Sequence, residues 1–204
     1  HYSTLDRQML KIPKMLFRKL LSYVASLGAT SATVAVDATG FRLDFRSRYY
    51  NWKLKRKEHR CSFMKASIAV DVDSKLVLSA RLRRKWRHDI IDFKPLLRDS
   101  SSVVPVDVVL ADKAYDSEAN MRFVSEELRA TPVIALKNRS KPLSKTHGEL
   151  RRKLKQNFPR ELYKKRVHVE TVISSIKRTL GDLIRSRKRS SQHNETLARF
   201  IAYN

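Results

Sequence analysis

Four residues suited to phosphate chemistry recur at helical spacing late in the sequence: Tyr163, Arg166, Glu170 and Lys177. At about 100° per residue they fall within about 60° of one helix face, so they would form a single polar stripe. A carboxylate flanked by two cations and a phenol suits a site that holds a metal ion beside a phosphate group. The alternative is an ordinary surface helix in which Arg166 and Glu170 form a weak ion pair.

Two aspartates stand where a second part of such a site is expected. Asp37 ends a short β-type run that begins at residue 32, and Asp112 follows a second run at 106–111. Because sites in α/β proteins form at the carboxyl ends of strands, neighbouring strands would bring these carboxylates together, and a helix across the sheet would add Glu170. Three converging carboxylates need a cation among them, and oxygen ligands suit two Mg²⁺ or Mn²⁺ ions. Each aspartate alone is also a common turn or helix-start residue.

The elements that must position these residues follow from changes in the hydrophobic period. An amphipathic helical pattern over 5–27 is broken by Pro13. After it the sequence predicts, in order, a strand at 32–37, a hairpin of 63–72 and 75–83, a helix at 88–97, a strand at 106–111, a helix to about 128, a strand at 132–136 and a long helix at 162–184. This order predicts an α/β protein with a mixed, partly parallel sheet flanked by helices.

The charge balance indicates a polyanionic partner. The 204 residues include 44 Lys and Arg against 20 Asp and Glu, a formal net charge of +24. The cations occur in several separate clusters, which favours a broad surface that tracks phosphates over a charged tail. From these clusters we predict DNA contacts at Lys53, Lys55, Arg56, Arg83 and Arg84.

The remaining composition bears on the compartment. The single cysteine, Cys61, excludes an internal disulfide framework and fits a reducing environment. No apolar run reaches the roughly 18 residues that a membrane span needs. We therefore expect a soluble cytoplasmic protein, associated with the nucleoid and with no membrane partner.

The segment 163–177 resembles the signature of DDE transposases of prokaryotic insertion sequences, in the superfamily that covers insertion-sequence families four and five. That signature is Tyr, two residues, Arg, three residues, Glu, six residues, Lys, and the sequence matches it at every fixed position. Residues 36–40 (Val-Asp-Ala-Thr-Gly) resemble the family's first Asp motif, and 110–116 (Leu-Ala-Asp-Lys-Ala-Tyr-Asp) resemble the second. Residues 87–89 (Arg-His-Asp) resemble a His-Asp pair often seen between them, and the resemblance runs from about 33 to 185.

The resemblance implies a ribonuclease H-like fold in which Asp37, Asp112 and Glu170 bind two Mg²⁺ or Mn²⁺ ions and carry catalysis. It implies metal-dependent cleavage of DNA at the ends of a mobile element, then attack of the freed 3′-hydroxyl on target DNA, in a complex expected to be a homodimer. The DNA contacts it implies near the acids are Tyr163, Arg166, Lys177, Lys113 and His88. Arg166 and Lys177 would hold phosphates or screen Glu170, and a structural role is the alternative for Lys113 and His88. Residues 31–204 would form the catalytic domain, and 1–30 a helical segment that is a candidate remnant of a DNA-binding region.

Two alternatives stay open at this point. A nuclease of the same fold would hydrolyse DNA without joining ends. A basic nucleic-acid-binding protein, such as an inactive or domesticated relic of a transposase, would bind DNA without catalysis. Three converging acids favour catalysis, because a protein that only binds phosphate gains nothing from carboxylates that repel it.

Overall fold

The computed structural model describes residues 2–29, 33–43, 53, 62–84, 88–137, 140 and 142–204. The strands are β1 (Thr33–Leu43), β2 (Ser62–Asp71), β3 (Val77–Arg83), β4 (Val108–Ala111), β5 (Thr131–Ile134) and β6 (Leu183–Ile184). The α-helices are α1 (Tyr2–Lys11), α2 (Lys14–Gly28), α3 (Ile90–Ser101), α4 (Glu118–Arg122), α5 (Glu149–Gln156), α6 (Arg160–Lys164), α7 (Val167–Leu180) and α8 (Arg189–Tyr203). Short 3₁₀ turns lie at Lys113–Tyr115 and Leu143–Lys145, and a π-helical turn at Phe123–Glu127 continues α4.

The strands form one mixed sheet in the order β3-β2-β1-β4-β5, with β6 added beside β1. The predicted hairpin pairs β2 with β3, and β2 is also antiparallel to β1. The pairs β1–β4, β4–β5 and β1–β6 are parallel. The predicted α/β class, with its ribonuclease H-like mixed sheet, is confirmed.

The central strand β1 contributes to two cores. Val34 and Val36 are buried on one face of the sheet with residues of α3, while Ala35 and Phe41 are buried on the other with residues of α7 and α8. Because successive side chains of a strand point to opposite faces, Asp37 shares the face of Ala35 and Phe41. Asp37 is therefore directed toward α7.

Of the two N-terminal helices, α2 packs on this sheet and α1 packs on α8. α1 ends at Lys11 and α2 begins at Lys14, so the predicted break at Pro13 is confirmed. Leu21 and Ala25 of α2 are buried, one in each core. The predicted domain boundary near residue 30 stays a prediction.

The predicted end of β1 is wrong. The strand does not stop at Asp37 but continues to Leu43. It does so because β2 pairs with it as far as the match of Ser62 with Leu43, and β6 pairs with its last two residues. Asp37 thus lies within a strand, although it follows the part that is paired with β4.

The long helix predicted over 162–184 is also wrong, because the segment forms α6, α7 and β6 instead. Between α6 and α7 the backbone hydrogen bonds span three residues rather than four, as in the bond from Arg166 N–H to Tyr163 O at 3.0 Å. Gly181, with φ of 81°, follows the last residue of α7. Ile184 consequently pairs with Leu43 of β1 as a strand residue and is not the end of a helix.

The segment after β4 is fastened by a buried acid. The Asp116 carboxylate, whose side chain is 0% exposed, accepts two hydrogen bonds from the Arg151 guanidinium, both at 2.8 Å. It also accepts the N–H of Lys137 at 2.9 Å, beyond the end of β5. The cap of α4 is supplied by Ser117, whose Oγ accepts the N–H of Asn120. Asp116 therefore ties α5 and β5 to the turn that carries Asp112.

A second acid fixes the start of α5. Glu118 accepts the backbone N–H groups of Leu150 at 3.0 Å and Arg151 at 3.2 Å. The chain enters α5 through Gly148, which has φ of 96°. A Cβ at this residue would lie 2.1 Å from Glu118 Oε2, so only glycine allows the carboxylate to approach.

We expect Asp116→Asn to lower the free energy of unfolding by about 3 kcal/mol, since it leaves the largely buried Arg151 guanidinium without its counter-charge. Urea denaturation followed by circular dichroism measures this. The matched control is Glu149→Gln, which breaks the exposed pair of Glu149 with Lys153 on α5 and should leave the curve unchanged. Equal destabilisation by both substitutions would contradict the role assigned to Asp116.

Candidate active site

The two predicted aspartates lie at matching positions on adjacent chain segments, each just beyond the last residue that takes part in the β1–β4 pairing. β1 and β4 pair in parallel as far as Val36 and Ala111, and Asp37 and Asp112 are the next residues. β4 ends there, whereas β1 continues and is joined on the same edge by β6 only at its last two residues. The sheet is therefore open along residues 37–41 of β1, which we call the strand opening. Both carboxylates stand at its start.

Asp37 is partly buried, with a side chain 25% exposed. Its Oδ1 accepts the N–H of Ala38 at 2.8 Å, and its Oδ2 accepts a hydrogen bond from Arg166 Nη1 at 3.3 Å. Burial raises the pKa of Asp37; the Ala38 N–H and Arg166 lower it, and the charges of Glu170 and Asp112 raise it again. The net result is a pKa above the usual range. The three acids therefore lie near enough to oppose one another's ionisation.

Arg166 links the strand to the helix. It lies immediately before α7 with a side chain only 18% exposed, and its Nη2 donates to Glu170 in the first turn of that helix. The guanidinium thus stands between Asp37 and Glu170 as their shared counter-ion. Burial disfavours its charge, but Tyr163, Asp37 and Glu170 together leave the pKa of Arg166 above its usual value. It remains a cation at any ordinary pH.

Tyr163 completes this group from α6. Its ring centroid lies 6.0 Å from the Arg166 guanidinium carbon and 5.2 Å from the ring of Phe158, against which it packs edge-on. Burial raises the pKa of the Tyr163 hydroxyl, so it stays protonated and able to donate. The structure therefore brings together three of the four residues of the predicted stripe, although they come from two helices.

Asp112 both begins a 3₁₀ turn and contributes its charge to the site. It begins the 3₁₀ turn Lys113–Tyr115, where its Oδ1 accepts the N–H of Lys113 at 2.6 Å. This is the helix-start role that the sequence left open for it. Its charge also raises the pKa of Asp37 and of Tyr163, which locates it at the same site.

Lys177, the fourth residue of the stripe, lies two helical turns beyond Glu170. Its Nζ is 5.6 Å from the centroid of the Phe41 ring, and the guanidinium of Arg199 is 5.9 Å from the same ring. Two turns correspond to about 10 Å along a helix. Lys177 therefore extends the stripe along β1 instead of joining the carboxylates.

The other predicted DNA contacts differ in their surroundings. Those with exposed side chains are His88, Lys113, Lys53 and Arg84. Arg83 instead donates from Nε at 2.6 Å to the fully buried carboxylate of Asp92, so part of its charge neutralises an internal acid. Lys55 and Arg56 lie outside the described residues. Contact with DNA stays a prediction at each of these positions.

A buried tyrosine, Tyr115, lies close to the acids, and the sequence pattern did not predict its burial. Tyr115, marked only as an aromatic residue after Asp112, is 1% exposed and packs 5.3 Å from the ring of Phe93. Its hydroxyl has no hydrogen-bond partner among the described residues. Burial raises the pKa of Tyr115, and the charges of Asp89 and Asp37 raise it further. The acids thus rest on a neutral, buried phenol.

The donor set fits a divalent cation in its chemistry. Asp37, Asp112 and Glu170 offer only carboxylate oxygens, which Mg²⁺ and Mn²⁺ prefer, and their mutual repulsion calls for positive charge. In the part of the chain that the structure describes, no three His, Cys, Asp or Glu side chains are already gathered closely enough to hold a metal ion. Arg166 supplies the positive charge in this arrangement. Metal binding by all three acids would require its guanidinium to move.

Comparison with known proteins gives one result. No curated protein and no solved structure matches the chain. Within the described residues, no helix is both long and apolar enough to cross a membrane. Residues 29–204 match the transposase DDE domain family. Since this match covers the whole sheet and includes Asp37, Asp112 and Glu170, the chain belongs to the transposase DDE domain family.

Proposed function

We propose that this chain catalyses DNA transposition: metal-dependent cleavage of DNA at element ends, followed by strand transfer into target DNA. The observation that carries the proposal is that Asp37 and Asp112 each follow the last β1–β4 pair at the same register, with Glu170 linked to Asp37 through Arg166. Membership of the family supports transposase chemistry at phosphorus in general. The particular steps, the metal and the site residues belong to the proposal.

We assign Asp37, Asp112 and Glu170 as the ligands of two Mg²⁺ or Mn²⁺ ions. Such ions supply an activated water and stabilise the leaving oxygen during in-line displacement at phosphorus. Arg166 compensates the acids before substrate arrives, and its planar guanidinium suits a phosphate equally well. Tyr163 presents a protonated hydroxyl beside it for the nucleotides at the cleaved end.

The two reactions use the same displacement twice. In cleavage, a water oxygen bonds to phosphorus and the bond to the 3′-oxygen breaks, which leaves a 3′-hydroxyl. In transfer, that hydroxyl bonds to a phosphorus of the target and displaces the target's own 3′-oxygen. One phosphodiester bond replaces another in the second step, so strand transfer needs no external energy source.

The remaining cations would hold DNA through its backbone. We propose that Lys113 and His88 contact the substrate near the acids and that Lys177 contacts it farther along β1. The proposed phosphate-tracking positions are Lys53, Lys55, Arg56, Arg83 and Arg84. The net charge of +24 supports such binding, because the attraction between cations and phosphates does not depend on the base sequence. Action on two element ends further suggests a homodimer that binds element and target DNA in the cytoplasm, on the nucleoid.

A nucleic-acid-binding relic is the second candidate, and one observation favours it. Arg166 engages both Asp37 and Glu170, so these two acids already have a cationic partner within the chain. A protein that had lost catalysis could keep this ion pair as a purely structural contact. A nuclease of the same fold would differ from a transposase only by lacking the joining step.

We expect the purified chain to nick supercoiled plasmid in Mg²⁺ or Mn²⁺, and Asp112→Asn to reduce nicking to the level of a chelator control, because a carboxylate ligand is lost. Gel electrophoresis of the plasmid measures this. The matched control is Asp107→Asn, an exposed position just before β4, which should nick like the wild type. A covalent product between a donor 3′ end and the plasmid would separate transposition from hydrolysis. DNA binding without nicking would favour the relic.

We expect Glu170→Gln to weaken Mn²⁺ binding by about tenfold or more in the absence of DNA. Arg166→Ala should have the opposite effect, since it removes the guanidinium that competes with the ion for Asp37 and Glu170. The electron paramagnetic resonance signal of free Mn²⁺ measures both. The control for the loss of one positive charge is Arg178→Ala, at an exposed position on α7. Weaker Mn²⁺ binding in Arg166→Ala than in this control would refute the competition.

A further inference from the structure

The outer side of α2 carries apolar side chains that nothing in the described part of the chain covers. Among the residues that the structure describes, eight large apolar side chains are exposed, and five of them belong to this one helix. The five are Met15, Leu16, Leu20, Tyr23 and Leu27. The other three, Ile91, Leu143 and Val167, lie singly on separate elements. Single exposed apolar residues are ordinary, whereas a contiguous apolar patch marks an interaction surface.

Four of the five have the spacing of a helix–helix seam. Intervals of four, three and four residues separate Leu16, Leu20, Tyr23 and Leu27, which we call the outer stripe. Their exposed fractions run from 43% at Leu20 to 70% at Leu27. At about 100° per residue the four fall within about 60° of one helix face. Alternating intervals of three and four residues are those of the a and d positions at which one helix packs on another.

The opposite side of α2 is apolar as well. Leu21 and Ala25, which are buried in the two cores, lie about 150° around the helix from the outer stripe. A helix that is apolar on all sides is typical of a buried position, so the composition of α2 calls for a cover. α2 packs on α8 and on β3, the strand at one edge of the sheet, whereas the proposed metal ligands lie beyond β2 at β1 and β4. A cover over the outer stripe would therefore leave the strand opening accessible.

The residues around the outer stripe decide what covers it. DNA is held through its phosphates by cations and amides, and three leucines and a tyrosine offer a phosphate little. An acidic helix would gain most from cations on both borders of the stripe. One border carries Lys19 and Ser26, however, and the other carries Phe17 and Val24. A second copy of the chain fits better, because the pattern of four, three and four is complementary to itself under a two-fold rotation.

We propose that the outer stripe is the interface through which two copies of this chain form a dimer, with their α2 helices antiparallel. Leu20 of each copy meets Tyr23 of the other, and Leu16 meets Leu27. The inference rests on the proposed function for its expectation of a homodimer, and it deepens that function by assigning the surface. Because the family match begins at residue 29, this interface is a feature of the chain's own N-terminal helices.

The antiparallel direction follows from charge. Lys11 and Lys14 lie at the N-terminal end of α2, where the helix dipole is also positive. Parallel helices would place these ends side by side in a chain whose net charge is already +24. In the antiparallel pairing the two copies of Lys14 stand about 20 Å apart, more than twice the Debye length of about 8 Å at physiological salt. Lys19 is exposed and can keep its ammonium group in water while its stem covers apolar surface.

The exposed apolar area is close to what a dimer needs. The exposed parts of the outer stripe and Met15 amount to on the order of 600 Å² per copy, against roughly 800 Å² per partner in a standard interface. Polar side chains at the rim would supply the remainder. An interface at this lower limit of size predicts a dimer with a dissociation constant in the micromolar range.

Sedimentation velocity of the DNA-free chain tests the surface. The wild type should pass from monomer to dimer as its concentration rises from about 1 to about 100 µM. Tyr23→Lys places a cation near the centre of the outer stripe and should weaken dimerisation about tenfold or more, since central aromatic residues carry much of the binding energy of an interface. The matched control is Leu143→Lys, which adds the same charge at an exposed apolar residue outside α2 and should dimerise like the wild type.

Two further observations belong to this experiment. Tyr23 is exposed in the single copy, so Tyr23→Lys should keep the circular dichroism spectrum of the wild type. Raising the salt concentration to about 0.5 M should strengthen the wild-type dimer, because salt screens the repulsion between two basic chains and leaves apolar contacts in place. Weaker dimerisation at high salt would show an association through charges and would overturn the interface.

Disulfide crosslinking tests the direction of the helices, in a Cys61→Ser background that removes the chain's own thiol. The double substitution of Leu16→Cys and Leu27→Cys should give a covalent dimer on oxidation, because these positions meet across the antiparallel pairing. Leu27→Cys alone should not, since its two copies would stand about 16 Å apart along the helix axis, too far for a disulfide. A non-reducing gel measures both. An equal yield of covalent dimer from Leu27→Cys alone would overturn the antiparallel pairing.

The outcomes keep the two proposals apart. A chain that stays monomeric at about 100 µM, or equal dimerisation by Tyr23→Lys and the wild type, would overturn the interface. A monomer that floats with phosphatidylcholine vesicles would overturn it too and assign the outer stripe to a lipid surface. Metal-dependent nicking by such a monomer would leave the proposed cleavage intact. Dimerisation through α2 by a chain that never nicks DNA would keep the interface and reject the catalytic proposal.

Discussion

The pairing of Arg166 with Asp37 and Glu170 is the interaction on which the site depends. A partly buried carboxylate is costly as an anion unless cations or N–H groups compensate it, and Asp37 has one of each. The same guanidinium reaches Glu170, so a single cation joins the central strand to α7. Without it the acids would repel one another across the contact between strand and helix. That repulsion would oppose the packing that seats α7 on the sheet through Val169, Val172 and Ile176.

The change of partner along β1 gives the site its shape. β2 covers one edge of the strand through ten paired residues, from Val34 to Leu43, while the other edge passes from β4 to β6 with the strand opening between them. Arg199 of α8 keeps β6 in place by donating to the carbonyls of Gly181 at 2.8 Å and Leu183 at 2.6 Å. Because β4 has only four residues, it ends early enough to leave the strand opening beside the carboxylates.

Sequence periodicity predicted individual strands, the hairpin and the break at Pro13, because each of these depends on residues that are close together in the chain. It also identified Asp112 as the residue that follows β4, whereas Asp37, which was predicted to end its strand, lies inside β1. It did not predict that Arg166 contacts Asp37, 129 residues away, or that Asp116 binds Arg151, 35 residues away. Such pairs depend on how the elements pack. From the sequence alone, many other charged residues of this chain would be equally plausible partners. The division of the late helix was missed for a related reason, since Ile184 of β6 is buried in the same core as the apolar residues of α7.

The net charge of this protein attracts DNA, whereas the local charge of the acids repels it. A net charge of +24 attracts the DNA backbone to the surface, but the neighbouring acids Asp37, Asp112 and Glu170 repel the phosphate that must reach them. On the proposed function, Arg166 reconciles the two, because it lowers the local negative charge and can exchange a carboxylate for a phosphate of similar geometry. Its side chain is 18% exposed, so an arriving phosphate can meet it. Each carboxylate released in this exchange becomes available as an oxygen ligand when a phosphate is present to share the ion. DNA binding and metal binding would then favour each other, and the acids would stay compensated when neither is bound.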